Sequence, residues 1–243
     1  MNLKNAKALV TGGSLGIGYA TAKALIDKGA KVAICGRNSE NLNNAAKELG
    51  ALAVKADVSV EKDVVDMVKT VVKELGDFNV LINNAAFGYF AHISEIELEK
   101  FNKMLAVNLT GAMLCAREAS KHFIKQKYGN IVNISSTAGT KGYANGTPYV
   151  ASKFALAGMT ECWRAELRKS NIRVMLVNPS EVQTDFSYNS ATWLKSFIKH
   201  GEEKQINPTK LVAEDIAHTI ISMLELDDRG FITEATVWAT NPS

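Results

Sequence analysis

A chain of 243 residues, 47% of them hydrophobic, is long enough for one α/β domain with a substantial core. Its 28 basic and 25 acidic side chains leave a dispersed net charge of +3, which argues against a nucleic-acid partner. No apolar run reaches transmembrane length, and the opening residues (MNLKNAKALVTGG) lack the layout of a secretion signal, so a cytoplasmic protein without a membrane partner is expected. Cys35, Cys115 and Cys162 lie far apart in apolar stretches and read as reduced core residues; the four histidines form no metal-spaced cluster, so no metal is expected.

Residues 6–11 (AKALVT) predict a short apolar strand, followed by TGGSLGIG at 11–18 and a helical pattern ending at Gly29. Strand, glycine loop and helix in that order predict a dinucleotide site. Glycines let the backbone turn tightly and approach a pyrophosphate, and the helix N-terminus favours the phosphate charge. Residues 31–36 predict the second strand. An acidic residue gripping an NAD ribose would stand at its end, but the chain has Gly36 and then Arg37. No carboxylate repels a 2′-phosphate there and Arg37 can bind one, so NADP(H) is expected over NAD(H).

A helix capped by Ser39 follows, then a strand ending at Asp57, a helix over 61–76 and an apolar strand over 79–86 carrying Asn83 and Asn84. Residues 95–126 predict a long helix broken near its start, with Asn108 in its charge-free part. Spacing alone makes Asn108 a core amide satisfied by backbone. Residues 130–135 predict the fifth strand, and the Gly-rich GTKGYANGTP leads to Pro148, suited to the first turn of a helix running from Tyr149 to about Lys169. Residues 171–180 predict a sixth strand ending in Asn178-Pro179. The aromatic-bearing stretch at about 185–209 is read as a substrate lid, with a permanently packed helical pair as the alternative. A helix over 212–226 and a strand over 230–239 complete the chain. The alternation predicts a seven-stranded, mostly parallel sheet between two helix layers.

Side chains at the carboxyl ends of such strands line the ligand crevice, which brings Asp57, Asn83, Ser136 and Pro179 to one groove. Tyr149 and Lys153 are four residues apart on one helix face, and Lys153 is the lone charge between Lys141 and Glu161. A tyrosine hydroxyl ionises near pH ~10 and is a poor proton carrier at neutrality. A nearby ammonium should lower that value, and Ser136 can hydrogen-bond a substrate oxygen as charge develops on it. This is equipment for moving a proton to or from a carbonyl or alcohol oxygen.

Taken together, Thr11-Gly12-x-x-x-Gly16-x-Gly18, Asp57-Val58, Asn83-Asn84-Ala85, Asn108, Ser136 and Tyr149-x-x-x-Lys153 resemble the short-chain dehydrogenase/reductase family along essentially the whole chain. The resemblance implies a single Rossmann-type domain over 1–243 and a catalytic tetrad of Asn108, Ser136, Tyr149 and Lys153. Tyr149 would be the acid/base. Ser136, rather than Ser135, would orient the carbonyl oxygen, Lys153 would bind the nicotinamide ribose and lower the tyrosine pKa, and Asn108 would hold a relay water. It implies cofactor contacts from Gly12, Ser14, Leu15, Gly16, Ile17 and Gly18, from Asp57 and Val58 at the adenine, from Asn83, Asn84 and Ala85, and from Pro179, Val182 and Thr184 near the carboxamide. The chain departs from the family pattern at Ala86, at Ser180 after Pro179, and at Leu15, where many NADP-dependent members carry a basic residue.

The expected function is therefore NADPH-dependent reduction of a small carbonyl compound such as a sugar, hydroxy acid or pterin, by a homotetramer or homodimer joined through the charge-free faces of 104–116 and 149–160. The alternatives are a 3-oxoacyl-[acyl-carrier-protein] reductase, with Lys127, Arg168 and Lys169 as docking points for the acidic carrier, and a nucleotide-binding regulator without turnover.

Overall fold

The computed structural model describes residues 1–184, 186 and 209–240. Apart from Phe186 and Thr209, the expected lid lies outside the described residues. The strands are β1 (Lys7–Thr11), β2 (Lys31–Gly36), β3 (Leu52–Lys55), β4 (Val80–Asn83), β5 (Gly129–Ile134), β6 (Ile172–Pro179), β7 (Val182–Gln183), β8 (Leu211–Val212) and β9 (Glu234–Val237). The helices are α1 (Gly16–Asp27), α2 (Ser39–Leu49), α3 (Glu61–Leu75), α4 (Leu98–Leu105), α5 (Ala112–Gln126), α6 (Thr147–Leu167) and α7 (Ala213–Glu225). Seven strands form one sheet in the order β3-β2-β1-β4-β5-β6-β9, and every pairing in it is parallel.

Both faces of the sheet are covered, so its strands are apolar throughout rather than alternating. Successive residues still point to opposite layers. Ala8, Val10, Ile34, Ile82 and Val132 pack with α1, α2 and α7 residues such as Leu25, Leu42 and Ile220. Leu9, Cys35, Leu81 and Ile131 pack on the other face with α3 and α5 residues such as Val64, Val71 and Phe123. Strand order reverses between β1 and β4, and the carboxyl ends of these two strands open the crevice where such sheets bind ligands.

Several boundaries differ from the sequence reading. β4 stops at Asn83 rather than at 86, and Asn84, Ala85 and Ala86 leave the sheet to line the crevice. The long helix expected from 95 starts at Leu98 and is interrupted by a π-helical turn, Ala106–Gly111. The small parallel pair β7–β8 was not anticipated, because two residues per strand are too few to show a period. Cys35 and Cys115 are buried as expected, but Cys162 is exposed: it lies on the outer face of α6, with Ala151, Phe154 and Gly158.

Candidate active site

A groove of about 620 Å³ runs across the carboxyl ends of the central strands, within the ordinary range for a small-molecule site. The glycine loop forms one wall. Gly12 and Gly16 have φ of +63° and +55°, which side-chain-bearing residues rarely adopt. A Cβ on Gly18 would lie 2.2 Å from the Gly12 carbonyl oxygen and 2.5 Å from Asn84 Nδ2, so only glycine lets α1 start this close to the loop. Thr11 holds the loop to β4. Its hydroxyl donates to the Ile82 carbonyl at 3.2 Å and accepts from the Asn84 and Ala85 amides at 2.9 and 3.1 Å. Asn84 returns two bonds to the Thr11 and Gly12 carbonyls. The loop is thus built to present backbone to a ligand at the start of α1, and this cradle suits a dinucleotide pyrophosphate.

At the β2 end the groove is lined by Gly36, Arg37, Asn38, Asn41, Asp57 and Val58. Arg37 is 57% exposed and its guanidinium stands 3.8 Å from the Asp57 carboxylate. Asp57 is already engaged, because its Oδ1 accepts from both the amide and the hydroxyl of Ser59. Burial pushes this carboxyl up, but the Ser59 bonds, with help from Arg37 and Lys103, hold it below its ordinary value. Asn38 spends its side chain on the N-cap of α2, accepting from the Asn41 amide. Cys35 also reaches the groove. Burial pushes its thiol up to about 12, which keeps it a neutral packing residue.

The second half of the site is made by β5 and α6. β5 ends at Ile134, leaving Ser135 and Ser136 at the crevice, and Pro148 in the first turn of α6 sets up Tyr149 and Lys153 one turn apart. The two serines differ. Ser135 Oγ turns inward to the Lys153 carbonyl at 3.3 Å. Ser136 Oγ accepts from the Ala138 amide, donates to the Pro179 carbonyl at 3.4 Å, and lies beside the Tyr149 hydroxyl, whose pKa it lowers. Lys153 is 3% exposed and donates to the Ile134 carbonyl at 2.8 Å. Its Nζ sits 5.6 Å from the centre of the Tyr149 ring.

The expected lowering of the tyrosine pKa by Lys153 is not found in the protein by itself. Burial of Tyr149 dominates and pushes its pKa well up; the Ser136 bond lowers it only in part, and Tyr143 adds to the rise. The lysine's ammonium is directed at a strand carbonyl, and burial brings its own pKa down to about 8.

A protein-family model, short chain dehydrogenase, matches residues 6–195. The chain belongs to the short-chain dehydrogenase family. Among the relatives of this short-chain dehydrogenase is carbonyl reductase family member 4 of Xenopus laevis, 35% identical over 89% of each chain. A 3-oxoacyl-[acyl-carrier-protein] reductase of Bos taurus is 38% identical over 73% of this chain and 76% of its own. A crystal structure of an actinorhodin polyketide ketoreductase variant with NADPH superposes with a TM-score of 0.87 at 26% identity, covering 98% of both chains.

Of the residues singled out in the sequence, Gly12, Ser14, Leu15, Gly16, Ile17, Arg37, Asp57, Val58, Asn84, Ala85 and Thr184 line the groove of this short-chain dehydrogenase. Gly18 lies beneath it. Asn83 does not face it: its side-chain amide is buried and donates to the Ala112 carbonyl and to Asn133, supporting the groove from the core. Val182 packs on the core through β7, and Pro179 meets the site through its carbonyl. Two of the three departures from the family pattern, Ala86 and Ser180, are accommodated. Ala86 lines the groove, and Ser180 ties the end of β6 to the last strand, its amide donating to Val237 and its hydroxyl accepting from Ala239.

Asn108 is 2% exposed, and both ends of its amide are engaged. Its Oδ1 accepts from the Phe87 amide at 3.0 Å, and its Nδ2 donates to the Phe87 carbonyl at 2.8 Å and to Ser152 at 3.3 Å. The side chain is the backbone-satisfied core amide that spacing suggested. The sequence reading missed the aromatic residues near Tyr149, namely Phe87, Phe90 and Tyr143, because they lie in loops where no period marks them.

Proposed function

We propose that this short-chain dehydrogenase is an NADPH-dependent reductase of carbonyl compounds. The observation that carries the reading is the Ser136–Tyr149 hydroxyl pair, one helical turn from buried Lys153, at the crevice beside a dinucleotide-shaped groove. NADPH, when bound, supplies the hydride that reaches the carbonyl carbon. The chain's own task is the proton and the charge on oxygen. Tyr149 stays protonated at neutral pH because burial raises its pKa, so it enters the reaction as an acid. It gives its proton to the carbonyl oxygen, and Ser136 donates a hydrogen bond to the same oxygen as negative charge develops. Lys153 then stabilises the tyrosinate from within the site. A proton relay at Asn108 would use its main-chain carbonyl, since its side chain is engaged by Phe87 and Ser152.

Arg37 supports the preference for NADPH. It is exposed at the end where the ribose would lie and its ionic contact with Asp57 is long, at 3.8 Å, so a 2′-phosphate can draw it away with charge-assisted hydrogen bonds. The similarity to the Bos taurus enzyme favours a second reading, reduction of a 3-oxoacyl group on acyl carrier protein. For assembly, α6 presents Phe154, 46% exposed, beside Ala151 and Gly158, a face suited to a second copy.

The test is a titration of the purified protein with NADPH and with NADH, followed by turnover of carbonyl compounds with the tighter cofactor. NADPH binding weakened in Arg37→Ala, with NADPH oxidised only when a carbonyl is present, is the expected result. Preference for NADH sinks the Arg37 argument. Binding without turnover of any carbonyl, carrier-bound or free, turns the reading to a regulator.

A further inference from the structure

We propose that the buried hydrogen bond between Asn133 and Thr160 is a positioning device for the reaction: it fixes where α6 sits along the sheet, and so where the Tyr149 hydroxyl meets Ser136. The role rests on the reductase reading above, and both members of the bond are positioning residues, remote from the reacting atoms. Thr160 stands on α6 eleven residues beyond Tyr149, which is about 16 Å along a helix that rises ~1.5 Å per residue. Asn133 is on β5, three residues before Ser136.

A helix laid on a sheet is usually seated by an apolar stripe. Apolar burial has no direction, so it tolerates small slides and rotations. Between Tyr149 and Leu167 the side chains that α6 buries are Ser152, Lys153, Leu156 and Thr160, and of these Leu156 alone is apolar. Directed bonds must therefore set the position of this helix. Lys153 donates to the Ile134 carbonyl at 2.8 Å, Thr160 Oγ1 accepts from Asn133 Nδ2 at 2.8 Å, and Arg164 donates from Nε to the Val174 carbonyl at 3.0 Å. Steps of seven and four residues place all three on one face of α6.

These attachments differ in stiffness. Lys153 and Arg164 reach the strands through long side chains whose tips can follow an acceptor while the backbone shifts. Ser135 meets the Lys153 carbonyl at the longer distance of 3.3 Å. Asn133 and Thr160 are short, 0% exposed and bonded at both ends. Thr160 is β-branched, and its hydroxyl is aimed by its own donation to the Leu156 carbonyl at 2.7 Å. The Asn133 amide accepts through Oδ1 from Asn83 Nδ2 at 2.9 Å, its register partner on β4. Asn83 also donates to the carbonyl of Ala112, the first residue after the π-helical turn that carries Asn108. One chain of buried bonds thus joins α5, β4, β5 and α6, the elements from which the catalytic end is assembled. A displacement of about 1 Å at a reacting group is enough to slow chemistry strongly, even when its origin is remote.

The experiment removes the Thr160 hydroxyl and keeps its shape in Thr160→Val, with Thr160→Ser as the conservative rescue. kcat, KM and the solvent deuterium isotope effect on kcat are measured with NADPH and 2,3-butanedione, a small activated diketone, or with the carbonyl that proves fastest. NADPH affinity and melting by circular dichroism are followed beside them, and rates are taken well below melting. Thr160→Val should lower kcat about tenfold, keep KM and the NADPH dissociation constant within about twofold, and enlarge the solvent isotope effect, because a misplaced tyrosine slows the proton step. Thr160→Ser should return kcat to within about threefold of the native value. Unchanged kcat in Thr160→Val, kcat and NADPH affinity falling together, an unchanged isotope effect, or a serine variant as slow as the valine one would overturn the positioning role and leave the reductase reading standing. If Thr160→Val does not fold, Thr160→Cys, whose thiol is a weak acceptor, is read by the same measurements; a cysteine variant of native kcat, or one that also fails to fold, overturns the role. Native protein that binds NADPH and turns over no carbonyl overturns the reductase reading itself and the positioning role with it.

Discussion

The two ends of the groove are built on opposite plans. The end at the glycine loop, where the proposed reading places the adenosine, is made of main chain: glycines at positive φ, a helix start, and the backbone of Asn84 and Ala85, with one exposed arginine at its edge. The end at Tyr149 and Lys153, proposed to be catalytic, is made of side chains, nearly all withdrawn from water, whose ionisation is decided by burial. One end reads charge in the open and the other withholds solvent from a proton. The first can be weakened by degrees, whereas the second is expected to fail outright.

The largest effect belongs to the buried end. Tyr149→Phe should lower kcat by about 10²–10⁴-fold while leaving the dissociation constant of NADPH unchanged, as measured by steady-state rates beside a binding titration. If turnover survives, the proton comes from elsewhere and the contrast between the two ends collapses. Ser136→Ala should cost about 10²–10³-fold in kcat, whereas Ser135→Ala should leave kcat near the native value, because only Ser136 faces the tyrosine hydroxyl. Similar losses from both serines would show that the crevice has been assigned to the wrong one.

Stability offers a third test. Lys153 has its pKa lowered to about 8 in the folded chain, so the unfolded chain holds more protons between that value and the free-lysine range. Native stability from this group therefore rises as pH increases from about 8 toward 10.5, and below that window the buried cation is a constant penalty. Lys153→Met should lose activity yet gain stability at pH 7, by up to about 3 kcal/mol before the lost Ile134 bond is subtracted, seen as a higher melting temperature. Its advantage should shrink as the pH is raised through that window. A variant that melts lower at pH 7 would mean that the hydrogen bond outweighs the desolvation.

The smallest effect is expected at the exposed end. Arg37→Ala should weaken NADPH binding by about 10–100-fold and leave NADH binding nearly unchanged, in a calorimetric titration. Equal losses for both cofactors would place the guanidinium on a group the two share.

The same contrast explains what could be read from the sequence. The adenosine end was legible because its parts are local: Thr11, Gly12, Gly16 and Gly18 sit in one short run between a strand and a helix. Tyr149 and Lys153 were equally plain as neighbours on a helix. The state of Tyr149 was not, because its burial comes from Phe90, Met104 and Phe186, which lie on other segments. The π-helical turn at Ala106–Gly111 was hidden for a similar reason. Its register is anchored by Asn108 bonding to a loop 21 residues earlier, and an apolar run carries no mark of such a bond. The order of strands followed from alternation, whereas Asn83 facing the core rather than the groove depended on which way the last residue of β4 turned.

Thr11 has a consequence for the newly made chain. Its hydroxyl secures the glycine loop by bonds to amides 73 and 74 residues downstream. The loop leaves the ribosome before these partners, so the Thr11 bonds form only once β4 has been synthesised and has docked beside β1. A fragment ending before Asn84 carries every glycine of the motif but lacks the bonds that Asn84 and Ala85 make to Thr11 and Gly12. Completion of the glycine loop therefore has a definite earliest moment, set by the arrival of a strand far from the motif itself.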